Sequence, residues 1–134
     1  MAIIISNTIQ KKELGKGKIS ESDKAVLKRT ARLELVSPIK GEGLPKGAKI
    51  VKAYGTSISG AKRVVYMLTS DNEDFMLLFY RDKNDAIGKN ITIANPIFKK
   101  EISKRIDLLL ADLEDGKYSV LSKKGSFQSP ESSQ

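Results

Sequence analysis

The chain contains no cysteine, no histidine and no tryptophan among its 134 residues. The lack of cysteine excludes a disulfide framework and any thiolate nucleophile or thiolate metal site. The lack of histidine removes the commonest general base, the histidine-containing catalytic triads and nearly all transition-metal sites. The carboxylates show no metal-ligand spacing, and the glycines fit no phosphate-binding loop. The sequence therefore predicts no metal and no cofactor, and any chemistry must use lysine, arginine, tyrosine, carboxylates or backbone groups.

Long apolar runs are lacking as well. The longest, from Phe75 to Tyr80, is far too short to cross a bilayer. The N-terminal "MAIIIS" lacks the basic lead and the length of a signal peptide. We therefore expect a cytoplasmic protein with no membrane partner. The length suits one domain with a single core. We predict that this domain covers residues 1–121 and that residues 122–134 form a polar, disordered tail.

Acidic residues are too few to balance the basic ones. Lysine and arginine number 24 against 16 acidic residues, which gives a net charge of +8. An excess of this size favours nucleic acid or an acidic protein partner over a merely basic surface. Aromatic residues make up only 6% of the chain, which is a poor platform for stacking on bases. The tyrosines best placed to stack are Tyr54 and Tyr80, whereas Tyr66 lies mid-strand and is predicted to belong to the core.

The apolar pattern predicts an α+β domain in which helices pack on a small antiparallel sheet. A short β-branched run predicts an N-terminal strand at 2–5. Three further runs, at 48–55, 62–68 and 75–80, predict a three-stranded meander. The last of these is apolar at every position, so we expect it to be central and covered on both faces.

Two helices are predicted from the spacing of apolar residues. The first follows a cap signature in "SESD" and covers about 21–36. Its inner stripe and edges are predicted to consist of Val26, Leu27, Thr30, Leu33 and Val36. The second begins with Asn95 as N-cap and Pro96 in the first turn, and it ends at Gly116. Its apolar stripe is predicted to consist of Phe98, Ile102, Ile106, Leu109, Leu110 and Leu113.

Other segments give weaker signals. The basic residues on the sides and outer face of the second helix are Lys99, Lys100, Lys104 and Arg105. They either follow a phosphate backbone or form an ordinary solvated face. "QKKELGKGKIS", at 10–20, predicts a loop with room for one helical turn. The Gly/Pro-rich segment at 40–47 predicts a turn or loop, and "ITIA" at 91–94 has the composition of one further short strand.

The stretch "RVVYMLTSDNEDFMLLFYRDKND" has cations at the outer ends of its two apolar runs. Antiparallel pairing of the runs brings together Lys62, Arg63, Arg81 and Lys83. Like charges that face each other across strands are destabilising unless an anion lies between them. One interpretation is that a phosphate or carboxylate from a ligand binds there. The other is that the acidic residues of the same loop pair with the cations and the loop is simply solvated.

The preceding strand carries Lys49 and Lys52. If it lies next to the strand of Arg63, one of these two lysines faces the same side of the sheet as Arg63. An array of lysine and arginine on a sheet face can stabilise a phosphorane-like transition state. A lysine can also shuttle a proton if neighbouring cations lower its pKa.

The order of these elements, with "KIVKAYG", "GAKRVVYML" and "DFMLLFYRDKND", resembles the toxins of the RelE/ParE superfamily of bacterial type II toxin–antitoxin systems. In that family an arginine opens a strand that reads R-V-x-Y, here Arg63 to Tyr66. A second apolar strand ends in an aromatic residue followed by a Lys/Asn-rich turn, here "FYRDKND" at 79–85. The resemblance covers about residues 20–86.

The resemblance implies an endoribonuclease that enters the ribosomal A site and cuts mRNA by activating a ribose 2′-hydroxyl against the adjacent phosphate. By position, Arg63 matches the family's arginine at the scissile phosphate, and Arg81 and Lys83 lie where the family has a second cation. Lys49 matches the family's lysine on the preceding strand, with Lys52 as the alternative. Residues that would bind the RNA around this catalytic set are Lys52, Lys62, Tyr54 and Tyr80. The implied partners are a cognate antitoxin, mRNA and the ribosome, and a toxin–antitoxin hetero-oligomer is implied with them.

Two features depart from the family pattern. No tyrosine follows the turn that contains Lys83, and the C-terminal part is longer than in many members. Two other functions therefore stay open. One is a ParE-like inhibitor of gyrase, which does not need a basic array, and the other is a non-enzymatic domain that binds RNA or the ribosome.

Overall fold

The computed structural model of the chain describes residues 2–40, 49–69, 71, 74–122 and 127–128. They form an α+β fold in which helices pack on a mixed, mostly antiparallel sheet, as the sequence predicts. The helices are α1 (Asn7–Glu13), α2 (Glu21–Thr30) and α3 (Pro96–Glu114). The strands are β1 (Ala2–Ser6), β2 (Ser37–Pro38), β3 (Lys49–Ser57), β4 (Gly60–Leu68), β5 (Phe75–Asp82), β6 (Tyr118–Ser122) and β7 (Phe127–Gln128).

The sheet has the strand order β2-β3-β4-β5-β1-β6-β7. Strands β3, β4 and β5 form the predicted meander. Strand β1 lies between β5 and β6, parallel to the first and antiparallel to the second. Because Ile3 lies opposite Phe75, β1 ends beside the middle of β5. Among the described strands, none continues past β1 along that side of β5, so the last residues of β5 have an open edge there.

Helices cover both faces of the sheet. Helix α2 lies against β3 so closely that a Cβ on Gly55 would stand 2.8 Å from a methyl group of Val26. On the same face, the Tyr66 hydroxyl lies 2.8 Å from the Thr30 hydroxyl, and Tyr66 belongs to the core as predicted. Helix α3 packs on the opposite face, where the rings of Phe79 and Phe98 are 5.7 Å apart. Strand β5 is therefore central and buried, as its uniformly apolar sequence predicts.

Helix α2 is shorter than the predicted helix at 21–36. The chain leaves the helical conformation at Ala31, and Leu33–Leu35 form a separate 3-10 turn. The inner stripe is confirmed at Val26, Leu27 and Thr30, but its extension to Leu33 is wrong, since Leu33 is 45% exposed. The helix ends because Ala31 leaves the helical region, with φ −81° and ψ 66°, and the Arg32 amide donates to the Thr30 carbonyl at 2.9 Å, two residues back along the chain.

The N-terminal strand is confirmed, and a helix follows it directly. Residues 7–13 of the predicted loop and its flank form α1, a seven-residue helix instead of a single turn. Ser6 caps it by accepting a hydrogen bond from the Ile9 amide at 3.2 Å. Residues 91–94 form turns instead of a strand, because local bonds such as Asn95 N–H to the Thr92 carbonyl close the chain on itself.

The C-terminal helix has the predicted ends. The Asn95 side chain accepts a hydrogen bond from the Ile97 amide, Pro96 stands in the first turn, and Gly116 follows the helix with a φ of 70°. Its predicted stripe is buried except for Leu110, which is half-exposed, and Leu113, which is partly buried. Among the described residues, no helix is long and apolar enough to cross a membrane.

Strand β6 follows α3 and was not predicted. Its sequence "YSVLS" is short and half polar, with Ser119 and Leu121 buried and their neighbours partly exposed. It pairs with β1, and β7 pairs with β6. Apart from β7, the predicted tail after Ser122 lies outside the described residues, as do residues 41–47 of the predicted Gly/Pro-rich loop and residue 48 of the predicted strand. The domain boundary at 121 stays a prediction.

Candidate functional site

The candidate site lies at the end of the β4–β5 hairpin where cations meet. Arg63 lies directly opposite Arg81, and Lys62 lies opposite Asp82. The pairing predicted from the sequence is therefore confirmed, and the two arginines share one face of the sheet. Lys83 follows β5 immediately, and its amide donates to the Ala61 carbonyl at 3.1 Å, which keeps it at the same end of the hairpin.

Carboxylates of the chain itself neutralise two of these cations. Arg81 donates from Nε and Nη2 to the two carboxylate oxygens of Glu13, at 2.7 and 3.0 Å, and its Nη1 lies 3.3 Å from Asp85. Lys62 forms an ion pair with Asp82. The interpretation in which neighbouring acids pair with the cations therefore holds for Arg81 and Lys62. Glu13 binds Arg81 through both of its carboxylate oxygens, and the sequence did not single it out.

Glu13 is the centre of an internal Arg–Glu–Arg triad. Its side chain has no exposed surface, and it also accepts from Arg105 Nη1 at 2.7 Å. The same carboxylate accepts the Tyr80 amide at 2.7 Å, and Arg105 donates to the Leu78 carbonyl at 3.0 Å. Glu13 and Arg105 thus satisfy the backbone groups of β5 at the open edge that β1 leaves.

Arg105 was predicted to lie on the sides or outer face of the helix, and this is wrong. The residue is only 5% exposed, and its guanidinium lies 4.6 Å from the centre of the Phe79 ring. The spacing indicates burial, because Arg105 stands three residues after Ile102 and four before Leu109, on the apolar stripe of the helix. Lys99, Lys100 and Lys104 are exposed.

Asp85 organises the turn after β5. Its Oδ2 accepts the amides of Ile87 and Gly88 at 2.8 and 3.2 Å, and the carboxylate also contacts Arg81. Partial burial would raise the pKa of Asp85, but the two amides and the guanidinium outweigh it and lower the pKa below its ordinary value. For Arg81, burial lowers the pKa, but Glu13 and Asp85 outweigh it and raise the pKa.

Asp85→Asn should reduce stability at neutral pH and flatten its dependence on acid. A carboxyl group whose pKa is lower in the folded chain stabilises the fold above its unfolded pKa of about 3.9, and this contribution is lost as the pH falls through the folded pKa. Wild type should therefore lose more stability than the variant on acidification from about pH 5 to pH 2, measured by urea unfolding. Asp107→Asn, at an exposed aspartate of α3, is the matched control. Parallel curves for wild type and Asp85→Asn would contradict this account.

Arg63 has a different environment from Arg81. Its guanidinium lies 4.2 Å from the centre of the Tyr54 ring, which faces it across the β3–β4 pair. Tyr54 is 59% exposed, and Arg63 forms no ion pair with any residue in the described part of the chain. A guanidinium over an aromatic ring is attracted to the face of the ring, and its N–H donors stay available to a ligand. Arg63 and Tyr54 therefore form the part of the site that a ligand can reach.

The predicted lysines are divided between different places. Lys52 shares the face of Tyr54 and Arg63, as predicted for one of the pair, and donates to the Ile91 carbonyl at 3.3 Å. Lys49 lies opposite Leu68, five residues along β4 from Arg63, or about 17 Å along the strand. Because successive side chains of a strand point to opposite faces, Lys49 also lies on the face of the sheet opposite to that of Arg63. The structure thus brings Lys52 towards Arg63 and leaves Lys49 at the far end of the sheet.

Tyr80 and Lys62 lie on the α2 face of the sheet, away from Arg63. Tyr80 is only 5% exposed, its hydroxyl donates to Asp23 at 2.6 Å, and the Lys62 ammonium lies 5.6 Å from its ring centre. Burial and the Asp23 carboxylate raise the pKa of the Tyr80 phenol. Tyr80 was predicted to stack on bases, but its buried ring does not offer a face to a base.

The accessible part of the site is suited to a phosphate beside a planar ring. A guanidinium binds phosphate through two parallel hydrogen bonds, and a tyrosine ring stacks on a base. Within the described residues, no cluster of acidic side chains is suited to a metal ion. Comparisons with protein-family models, with curated proteins and with solved structures find no match to the chain.

Proposed function

We propose that the chain is the toxin of a type II toxin–antitoxin system and cuts mRNA on the ribosome. The observation that carries the proposal is the Arg63–Tyr54 pair, in which a half-buried guanidinium with no carboxylate partner among the described residues lies 4.2 Å from the centre of an exposed ring. A strongly basic chain without histidine and the resemblance of residues 20–86 to RelE-like toxins support it. The proposed partners are mRNA, the ribosome and a cognate antitoxin that covers the pair when the toxin is stored.

In this proposal the ribose 2′-hydroxyl attacks the adjacent phosphorus, and the bond to the 5′-oxygen of the next nucleotide breaks. The 2′-hydroxyl gives up its proton to water and the leaving 5′-oxygen takes one up from water, so the products are a 2′,3′-cyclic phosphate and a 5′-hydroxyl end. Arg63 donates to the phosphate oxygens, on which negative charge increases in the transition state. Tyr54 supports the guanidinium and stacks beside a base, and Lys83 supplies the second cation. The ribosome aligns the nucleotide for in-line attack, which is why the reaction depends on it.

The second candidate is a domain that binds RNA or the ribosome and does not cut. One observation favours it. Arg81 and Lys62 are neutralised by Glu13 and Asp82, and Lys49 lies at the far end of β3, so the cations available around Arg63 are fewer than the sequence predicts. A few cations are enough to bind the RNA backbone in a salt-dependent manner, and binding alone requires none of them to transfer a proton.

The experiment that tests both candidates is a bacterial translation extract programmed with one defined mRNA. Primer extension maps new 5′ ends after addition of the purified chain, and a ribosome-free reaction runs alongside. Cuts inside the translated frame that require ribosomes are the expected result. Intact mRNA with blocked translation would replace the nuclease by the binding domain. Intact mRNA with normal translation would overturn both.

A further inference from the structure

A second basic surface lies away from Arg63, between α1 and α2. Two adjoining cavities of about 350 and 430 Å³ share Gln10 and Gly17. We call them together the lysine groove, because the charged side chains that line it are Lys11, Lys16, Lys18 and Lys24.

The groove has an unbalanced positive charge. Residues 7–19 contain four lysines and one acid, Glu13, whose carboxylate is buried and already bound by Arg81 and Arg105. Lys11, Lys16 and Lys18 are exposed, and none of them forms an ion pair with a residue that the structure describes. Lys24 has a neighbour in Glu21, but this acid is 91% exposed, so the pair is solvated and weak.

The loop that forms the groove has a defined shape. Gln10 Nε2 donates to the Gly17 carbonyl at 3.0 Å, which ties the loop back to α1. Gly15 and Gly17 have φ values of 83° and 96°, a conformation that glycine adopts at little cost and other residues rarely adopt. Lys16 and Lys18 therefore extend from a turn of defined shape, between Lys11 on α1 and Lys24 on α2.

The groove is connected to the hairpin site through the Glu13 side chain. The loop starts directly after Glu13, whose carboxylate holds Arg81, and Arg81 lies opposite Arg63. Three residues of chain span at most about 10 Å, so the Cα of Lys16 lies within that distance of the Cα of Glu13. The lysines of the loop therefore start within about 10 Å of the residue that holds Arg81, the cross-strand partner of Arg63.

We infer that the lysine groove binds the phosphate backbone of a second stretch of RNA. This inference takes one thing from the proposed function, namely that the ligand is RNA. A membrane surface is the less suitable partner, because none of the exposed large apolar residues of the described chain lines the groove. The apolar side chain that does line it, Ile19, is buried. Backbone contacts of this kind add affinity without reading sequence.

The test measures binding of a fluorescent single-stranded RNA as a function of salt. The groove variant carries Lys11→Gln, Lys16→Gln and Lys18→Gln, and the matched control carries Lys99→Gln, Lys100→Gln and Lys104→Gln on the exposed face of α3. Each phosphate contact contributes about 0.7 to the slope of log affinity against log salt for a single strand. The groove variant should lose about 2 from this slope, and the control should keep the slope of wild type.

Several outcomes would overturn the inference. Equal slopes for wild type and the groove variant, or equal losses in the groove variant and the control, would show that the groove holds no RNA. Loss of binding to phosphatidylserine vesicles, with RNA binding unchanged, would assign the groove to membranes. Because the assay needs neither ribosomes nor cleavage, its result is independent of the translation-extract experiment. A wild type that binds RNA through the groove but never cuts would overturn the nuclease alone.

Discussion

Arg63→Ala should reduce ribosome-dependent cleavage of mRNA at least about a hundredfold and leave the protein folded. Removal of one preorganised donor to a developing oxyanion typically costs two to three orders of magnitude in rate. The fold should tolerate the change, because Arg63 contacts the exposed Tyr54 ring and no described carboxylate. Single-turnover cleavage of a defined mRNA on stalled ribosomes measures the rate, and thermal melting by circular dichroism checks the fold.

Two further variants sharpen this result. Arg63→Lys keeps the charge but loses the planar fork and the stacking on Tyr54, so its rate should fall between those of wild type and Arg63→Ala. Arg32→Ala removes another arginine, 57% exposed and beside Glu34, and should cut as fast as wild type. Cleavage by Arg63→Ala at the rate of Arg32→Ala would place the reaction elsewhere on the molecule.

The hairpin that carries Arg63 was predictable because its signals are local. Two apolar runs separated by a polar turn determine which strands pair, but Arg63 meets Arg81 only because the register shifts by one residue between Val65 and Tyr66. The register of β3 needs information from outside that strand. Once Lys49 is opposite Leu68, its distance from Arg63 follows, but nothing in "KIVKAYG" alone determines this register.

The burial of Glu13 was not predictable in the same way. A glutamate in a lysine-rich segment has the pattern of a solvated residue. It is buried because β1 ends at Ser6 and leaves the Leu78 carbonyl and the Tyr80 amide of β5 without a strand partner. That open edge depends on the lengths of two strands that are far apart in sequence, so no local pattern around Glu13 reveals it. The anion expected between the hairpin's cations turned out to be supplied in part by the chain itself.

Glu13→Ala should destabilise the protein by about 3–5 kcal/mol, the usual cost of breaking a buried ion pair by removal of one partner. Arg105 is almost fully buried and would lose its carboxylate, and the Tyr80 amide would lose its acceptor. Arg81 is 26% exposed and keeps Asp85, so it should contribute less to the cost. Urea unfolding monitored by circular dichroism gives the difference in free energy.

The control is Glu21→Ala, which removes an exposed glutamate 3.3 Å from Lys24 on the surface of α2. It should change stability by less than about 1 kcal/mol. A similar small effect for Glu13→Ala would contradict the structural role of the triad. A double-mutant cycle of Glu13→Met and Arg105→Met then measures the interaction of this pair apart from its other contacts. We expect the losses in free energy of unfolding of the two single variants to add up to about 1–3 kcal/mol more than the loss in the double variant. The reason is that most of each single cost comes from the partner left buried without its counter-charge, and the double variant leaves no such charge on Arg105 or Glu13.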